Sequence, residues 1–241
     1  MVKNHLKRIA MPTTWTTEEK KGVVWVARPN SGAHSLEEGM PLVLVIRELL
    51  KYANSTREVK HILNHKKILV DGVQRKDHRF NVGFMDTISI PDLKENYRIV
   101  LNKFNRLVLI KIDDKEAKEK ICQIKGKGLY QGKTQLRLSD GRVILADKKE
   151  KYSTRDSAVI SVPEQKIIRH IPFEKGVVVM LIKGKKSGVI GTVQEIKMHS
   201  EKNRRDNQED MVVVKSGSET FETLKRYCFV LGKQKPELKI E

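Results

Sequence analysis

Hydrophobic and polar positions change period several times along this 241-residue chain, and the changes mark its elements. Val59, Ile62 and Leu63 recur at i, i+3 and i+4. That spacing predicts one apolar stripe on a helix, with Arg57, Lys60, His61 and Asn64 on its other faces. Ser55 and Glu58 stand at capping-box spacing, so the hydroxyl can accept from the Glu58 amide while the carboxylate reaches back. The helix should start there and end at Lys66 and Lys67. Ile68-Leu69-Val70 then reads as a strand, and Asp71-Gly72 as the tight turn into Val73 and the basic pair Arg75 and Lys76. Lys at position 66 leaves the helix exit open, because positive φ at a non-Gly residue costs on the order of 1 kcal/mol.

Beyond this hairpin the pattern shortens to strand-like runs at Tyr97–Leu101, Leu107–Ile112, Ile121–Lys125, Thr134–Leu138, Val143–Leu145, Val159–Val162 and Ile167–Ile168. Gly126-Lys127-Gly128 and Asp140-Gly141 read as breaks between them. Val177–Ile182 and Val189–Val193 form a further strand pair. The loop between them carries Lys183, Lys185 and Lys186, and Gly184, Gly188 and Gly191 punctuate it, where absent side chains would let phosphate or base edges approach. Residues 1–41 have no long apolar period and contain Pro12, Pro29, Gly32, Gly39 and Pro41. They read as an extended arm. The expected fold is multidomain α+β: arm 1–41, small α/β domain 42–93, central all-β domain 94–171, and a β-barrel with a tail over 172–241.

Charge narrows the partners. The chain has 48 Lys plus Arg against 30 Asp plus Glu, a formal charge of +18. Such an excess repels itself unless a polyanion neutralises it, so nucleic acid is the expected partner. A membrane is the rival, yet no stretch approaches the roughly 18 consecutive apolar residues of a spanning helix. The N-terminus lacks the apolar core of a signal peptide. A cytoplasmic location is expected. Cys122 and Cys228 are too few for a disulfide framework or a four-thiolate zinc site and read as core residues. His61 and His65 have the i, i+4 spacing of two zinc ligands, but no Glu follows His61 and no third ligand is evident. Lys186-Ser187 has no preceding Gly and is followed by a strand, which disfavours a phosphate-binding P-loop. No metal, cofactor or small-molecule substrate is expected.

At Ser55, Glu58, Ile62-Leu63, His65 and Ile68 to Gly72, the segment from Leu42 to Ile90 resembles the S-four-type RNA-binding domain of certain ribosomal proteins, pseudouridine synthases and tyrosyl-tRNA synthetases. Lys175 to Val193 resembles a KOW motif, the hairpin of small SH3-like barrels. Further matches lie at His5-Leu6-Lys7-Arg8, Pro12, Trp15, Arg28-Pro29, Gly32, His34 and Pro41-Leu42, at Gly83 to Asp86 and Ile88-Ser89-Ile90, and at Phe229 to Lys233. Over its whole length the chain is similar to the archaeal and eukaryotic small-subunit ribosomal protein family S-four-e. The archaeal form is favoured because the sequence stops soon after Gly232.

The resemblance implies a structural component of the small subunit, bound to ribosomal RNA and to neighbouring ribosomal proteins, without catalysis and without obligate homo-oligomerisation. It points to His5, Lys7, Arg8 and Trp15 of the arm, Arg47 and Lys51, then Arg57, Lys60, Lys66, Lys67, Arg75 and Lys76, and the loop cations Lys183, Lys185 and Lys186 as RNA-binding residues. Trp15 can stack on a base or pack in a core, whereas Trp25, inside Val23-Val24-Trp25-Val26, reads as packing. The arm is expected to stay largely mobile until RNA neutralises it. Two other classes share these modules: an RNA-modifying enzyme of the pseudouridine synthase kind, and a KOW-type transcription-elongation factor. The first needs an Asp nucleophile in an Arg-Leu-Asp setting, which is absent; Asp113-Asp114, Asp140 and Asp147 lie in charged turns. The arm and the central domain argue against the second.

Overall fold

The Ser55 hydroxyl accepts from the Glu58 amide at 3.3 Å, and the Glu58 carboxylate accepts from the Asn54 amide at 2.8 Å. This capping box starts the one long helix of a computed structural model that describes residues 4–17, 23–146, 151–197, 210–217 and 219–240. In chain order, β1 (His5–Lys7) pairs antiparallel with β2 (Trp25–Ala27). Next come β3 (Gly39–Pro41), a short helix α1 (Leu42–Leu44) and the capped helix α2 (Thr56–His65). Between the helices the Leu50 amide reaches Val45 O, five residues back, so the backbone winds wider than an α-helix. The exit from α2 avoids the positive-φ cost: Lys66 has φ −110° and donates its amide to Ile62 O at 2.7 Å.

The first sheet is built from β4 (Leu69–Val70), β5 (Val73–Gln74), β7 (Thr87–Ile90), β8 (Glu95–Leu101) and β9 (Leu107–Ile112), in the order β5-β4-β7-β8-β9. Asp71 and Gly72, with φ of 50° and 72°, make the turn between β4 and β5. Meanwhile β6 (Asn81–Gly83) returns to pair with β3. The boundary expected at residue 93 therefore cuts through a sheet. The runs at 95–101 and 107–112 extend the small α/β unit, with Thr87 opposite Arg98 and Leu101 opposite Leu107.

A second five-stranded sheet holds β10 (Glu119–Tyr130), β11 (Lys133–Leu138), β12 (Val143–Ala146), β13 (Ser157–Ser161) and β14 (Ile167–Ile171), in the order β12-β11-β10-β13-β14. Gly126 and Gly128 do not break the run as expected; β10 continues through both. The register shifts between Ile124 and Gly126, and a Cβ on Gly126 would stand 2.9 Å from the Arg137 guanidinium. A third sheet comprises β15 (Val178–Leu181), β16 (Ile190–Lys197), β17 (Met211–Ser216), β18 (Glu219–Leu224) and β19 (Cys228–Gly232), in the order β18-β17-β16-β15-β19.

One hydrophobic core runs from Leu6 and Trp15 through α1, α2 and the first sheet into the third sheet, where Phe84 meets Phe229 edge-to-face at 5.1 Å. The second sheet encloses its own core around Cys122, Ile124, Leu136 and Ile160. The arm is not merely extended. Trp15 is 3 % exposed and donates its indole N–H to Gly39 O at 2.7 Å, and the Leu107 amide donates to Thr14 O at 2.8 Å.

Candidate nucleic-acid interface

Strand alternation sorts the arm residues. In β1, Leu6 faces the core while His5 and Lys7 face solvent. Register places Lys7 opposite Trp25 and His5 opposite Ala27. The Trp25 ring is 55 % exposed, with the Lys7 ammonium 5.6 Å from its centroid and the His5 ring edge-on at 5.8 Å. Of the two roles open to Trp15 the structure shows packing, and Trp25 departs from its expected one. Trp15 is buried and cannot stack on a base, whereas Trp25, read as packing, presents its ring beside two basic groups. The same period-two alternation that buries Leu6 could have exposed Trp25, had its pairing with β1 been foreseen.

Arg8, Arg47 and Lys51 line one cleft of about 380 Å3 between the arm and α1. Within it Arg47 pairs with Glu48 at 2.8 Å and Arg8 donates to the Thr17 hydroxyl at 3.2 Å. Arg57 and Lys60 on α2, Lys67 just past its end and Lys76 after β5 are exposed. Lys66 is exposed as well but lies 3.3 Å from Asp92. Arg75 is half-buried, with its guanidinium 4.5 Å from the Phe80 ring centroid. His61 and His65 stack at 4.0 Å, and the His61 carbonyl lies 2.9 Å from His65 Nδ1.

The loop between β15 and β16 also differs from expectation. Gly188 admits the protein's own backbone rather than a phosphate, because a Cβ there would lie 1.9 Å from Asn102 O. Ser187 fixes that approach by donating to Asn105 Oδ1 at 2.9 Å. Lys183 pairs with Glu38 at 3.0 Å, and Lys186 pairs with Glu219 while lying 4.6 Å from the Phe221 ring centroid. Lys185 is exposed at the loop tip.

Beneath these surfaces lies a charged network that the sequence did not suggest. Lys120 is buried and reaches Asp71 at 2.7 Å, Asp86 at 2.5 Å and Asp140 at 3.2 Å. Arg142 adds bonds to Asp71 at 2.7 Å and Asp140 at 3.2 Å, and His34 Nε2 meets Asp86 at 3.0 Å. Burial alone would raise the Asp86 carboxyl, but the Lys120 ammonium and His34 hold it well below the usual carboxylate range. Burial likewise disfavours protonated His34, yet the Asp86 charge prevails and raises it. The network ties the arm, the first sheet and the second sheet into one body.

Two family models match the sequence: the "RS4NT (NUC023) domain" over residues 2–37 and "Ribosomal family S4e" over residues 93–167. The small ribosomal subunit protein eS4 of Methanocella arvoryzae is 46 % identical over 237 residues, spanning 98 % of this chain and 97 % of that one. This chain belongs to the eS4 family. Its Methanosphaera stadtmanae relative, also a small ribosomal subunit protein eS4, is 41 % identical over 99 % of this chain and 96 % of its own. The crystal structure of the 30S ribosomal protein S4e from Thermoplasma acidophilum superposes with a TM-score of 0.67 at 29 % identity, covering 81 % of this chain and 96 % of that one. Within this eS4 chain the second family match enters just before β8, takes in β8 and β9 of the first sheet and runs through the second as far as the first residue of β14. Its first match ends two residues short of β3.

Proposed function

We propose that the protein is a non-catalytic structural constituent of the small ribosomal subunit, where it binds ribosomal RNA and stabilises its fold during assembly and translation. The observation that carries this reading is identity with eS4 proteins across essentially the whole chain, arm and all three sheets included. The surface chemistry supports it. Exposed cations stand on β1, α2, the end of the β5 hairpin and the tip of the β15–β16 loop. They neutralise phosphate without reading bases, and a folded RNA then selects by shape.

In this reading residues 42–112 form the S-four-type module and the third sheet forms the KOW-type barrel. Neighbouring ribosomal proteins complete the surroundings, with no membrane and no homo-oligomer required. No helix of the described residues is long and apolar enough to cross a membrane. The carboxylates support a structural role rather than pseudouridine synthase chemistry. Asp140 is committed to Lys120 and Arg142, and Asp114 accepts from Asn96. Asp147 lies outside the described residues.

Sedimentation tests the function. At low salt the protein should travel with the small subunit, and high salt should strip it, because each neutralised phosphate releases counterions. Recovery in RNA-free fractions at low salt would overturn the reading.

A further inference from the structure

A cleft of about 560 Å3 opens between the second sheet, the third sheet and the segments flanking the β3–β6 pair. Four cations reach it from four separate segments: Lys125, Arg155, Lys183 and Arg226. Irregular backbone places two of them. Lys125 sits at the register shift between Ile124 and Gly126, and a bulge of this kind re-aims a side chain. Arg155 holds φ at 78°, a region that side chains with a Cβ rarely adopt. Its amide donates to Ile124 O at 2.8 Å, and the Ile124 amide donates to Asp156 O at 2.8 Å, which locks that conformation.

Tyr227 and Phe84 contribute an aromatic wall, and the Arg226 guanidinium lies 5.0 Å from the Tyr227 ring centroid. Among the described residues lining the cleft, Glu38 is the one carboxylate, and Lys183 neutralises it at 3.0 Å. A bare phosphate would leave the aromatic wall unused, and an apolar ligand would offer the cations no anion. A nucleotide uses both. We propose that this cleft takes one unstacked nucleotide of the bound RNA, its phosphate between Lys125 and Arg155 and its base against Tyr227. The volume lies within the roughly 300–1,000 Å3 of small-ligand sites. The inference rests on the RNA-binding reading above and assigns to it residues on which that reading does not depend.

The test uses the full chain and measures fluorescence anisotropy with a single-stranded RNA of roughly ten nucleotides and with an RNA duplex of the same length, at several salt concentrations. Arg155→Gly should keep its melting temperature, since glycine takes positive φ freely. It should flatten the salt dependence for the single strand by about 0.7 for each phosphate left without its cation. Tyr227→Leu should lower single-strand affinity roughly 5- to 150-fold with the salt slope unchanged, as loss of one stacked base does. Duplex affinity should stay constant in both variants. Competition separates the other sources of the same chemistry. Uridine or adenosine monophosphate binding as tightly as the oligomer would make this a free-nucleotide site, and polyglutamate competing as well as RNA would make it a general anion cleft. Either result overturns the proposal, as does unchanged single-strand affinity in both variants while the unmodified chain binds RNA. Failure of the unmodified chain to bind any RNA would instead count against the RNA-binding reading itself.

Discussion

Lys120 of β10 and Asp71 of the β4–β5 turn meet at 2.7 Å with both side chains buried, so a charge pair joins the apolar packing of Ile121 and Val159 in fastening the second sheet to the first. Asp86 and Asp140 complete a cage around the same ammonium. Removing one partner of a buried pair leaves uncompensated charge, which costs about 3–5 kcal/mol. Lys120→Met should therefore destabilise the protein by at least that much in urea unfolding, because three carboxylates are deprived of their common partner. A decrease below about 1 kcal/mol would show that water or Arg142 substitutes for the lysine.

The same network gives stability a pH dependence of known sign. His34 is raised above its ordinary 6.5 in the folded protein, so its contribution is complete below pH 6.5 and disappears as pH rises through the folded value. Asp86 is lowered below its ordinary 3.8 and behaves oppositely: its contribution is present above that pH and disappears as pH falls through the folded value. The melting temperature should decline as pH rises above 6.5, and His34→Gln should flatten this limb while leaving the acid limb in place. Thermal melts across pH on both proteins decide the matter.

How much of this was legible in the sequence depended on distance along the chain. The capping box at Ser55 and Glu58, the stripe through Val59 and Leu63, and the Asp71-Gly72 turn are local patterns, and all three formed as expected. Sheet membership is not local. Nothing in the runs at 97–101 and 107–112 says that they add to β7 rather than to β10. Asp71-Gly72 reads as a tight turn and Asp140-Gly141 as a break, yet folding carries both carboxylates onto Lys120. The glycines of β10 and of the β15–β16 loop read as a break and as space for phosphate, although Gly126 accommodates Arg137 and Gly188 accommodates Asn102.

Lys60 on α2 and Lys67 just past its C-terminus are exposed, while Lys66 already has Asp92 at 3.3 Å. Lys60→Ala together with Lys67→Ala should weaken binding to RNA irrespective of sequence and lower the salt slope by ~0.7–0.9 for each phosphate no longer neutralised. Lys66→Ala should change the slope less. Equal slopes for the double variant and the parent would remove α2 from the interface.

The two tryptophans of the arm give the sharpest contrast. Trp15 is 3 % exposed and its indole donates to Gly39 O at 2.7 Å, whereas Trp25 is 55 % exposed beside Lys7. Trp15→Ala should cost about 3–5 kcal/mol of stability, as large-to-small core substitutions do. Trp25→Ala should leave the melting temperature nearly unchanged and weaken RNA binding roughly 5- to 150-fold if a base stacks there. Burial also revises the expectation of a mobile arm. Ordering backbone costs roughly 1–2 kcal/mol per residue, and Leu6, Trp15 and the Thr14–Leu107 hydrogen bond offset part of that without RNA. Hydrogen exchange on the free protein should show the Trp15 indole and the Leu107 amide protected, with exposed Ile9 and Thr13 exchanging fast. Fast exchange at Trp15 would mean that this segment packs only when RNA is bound.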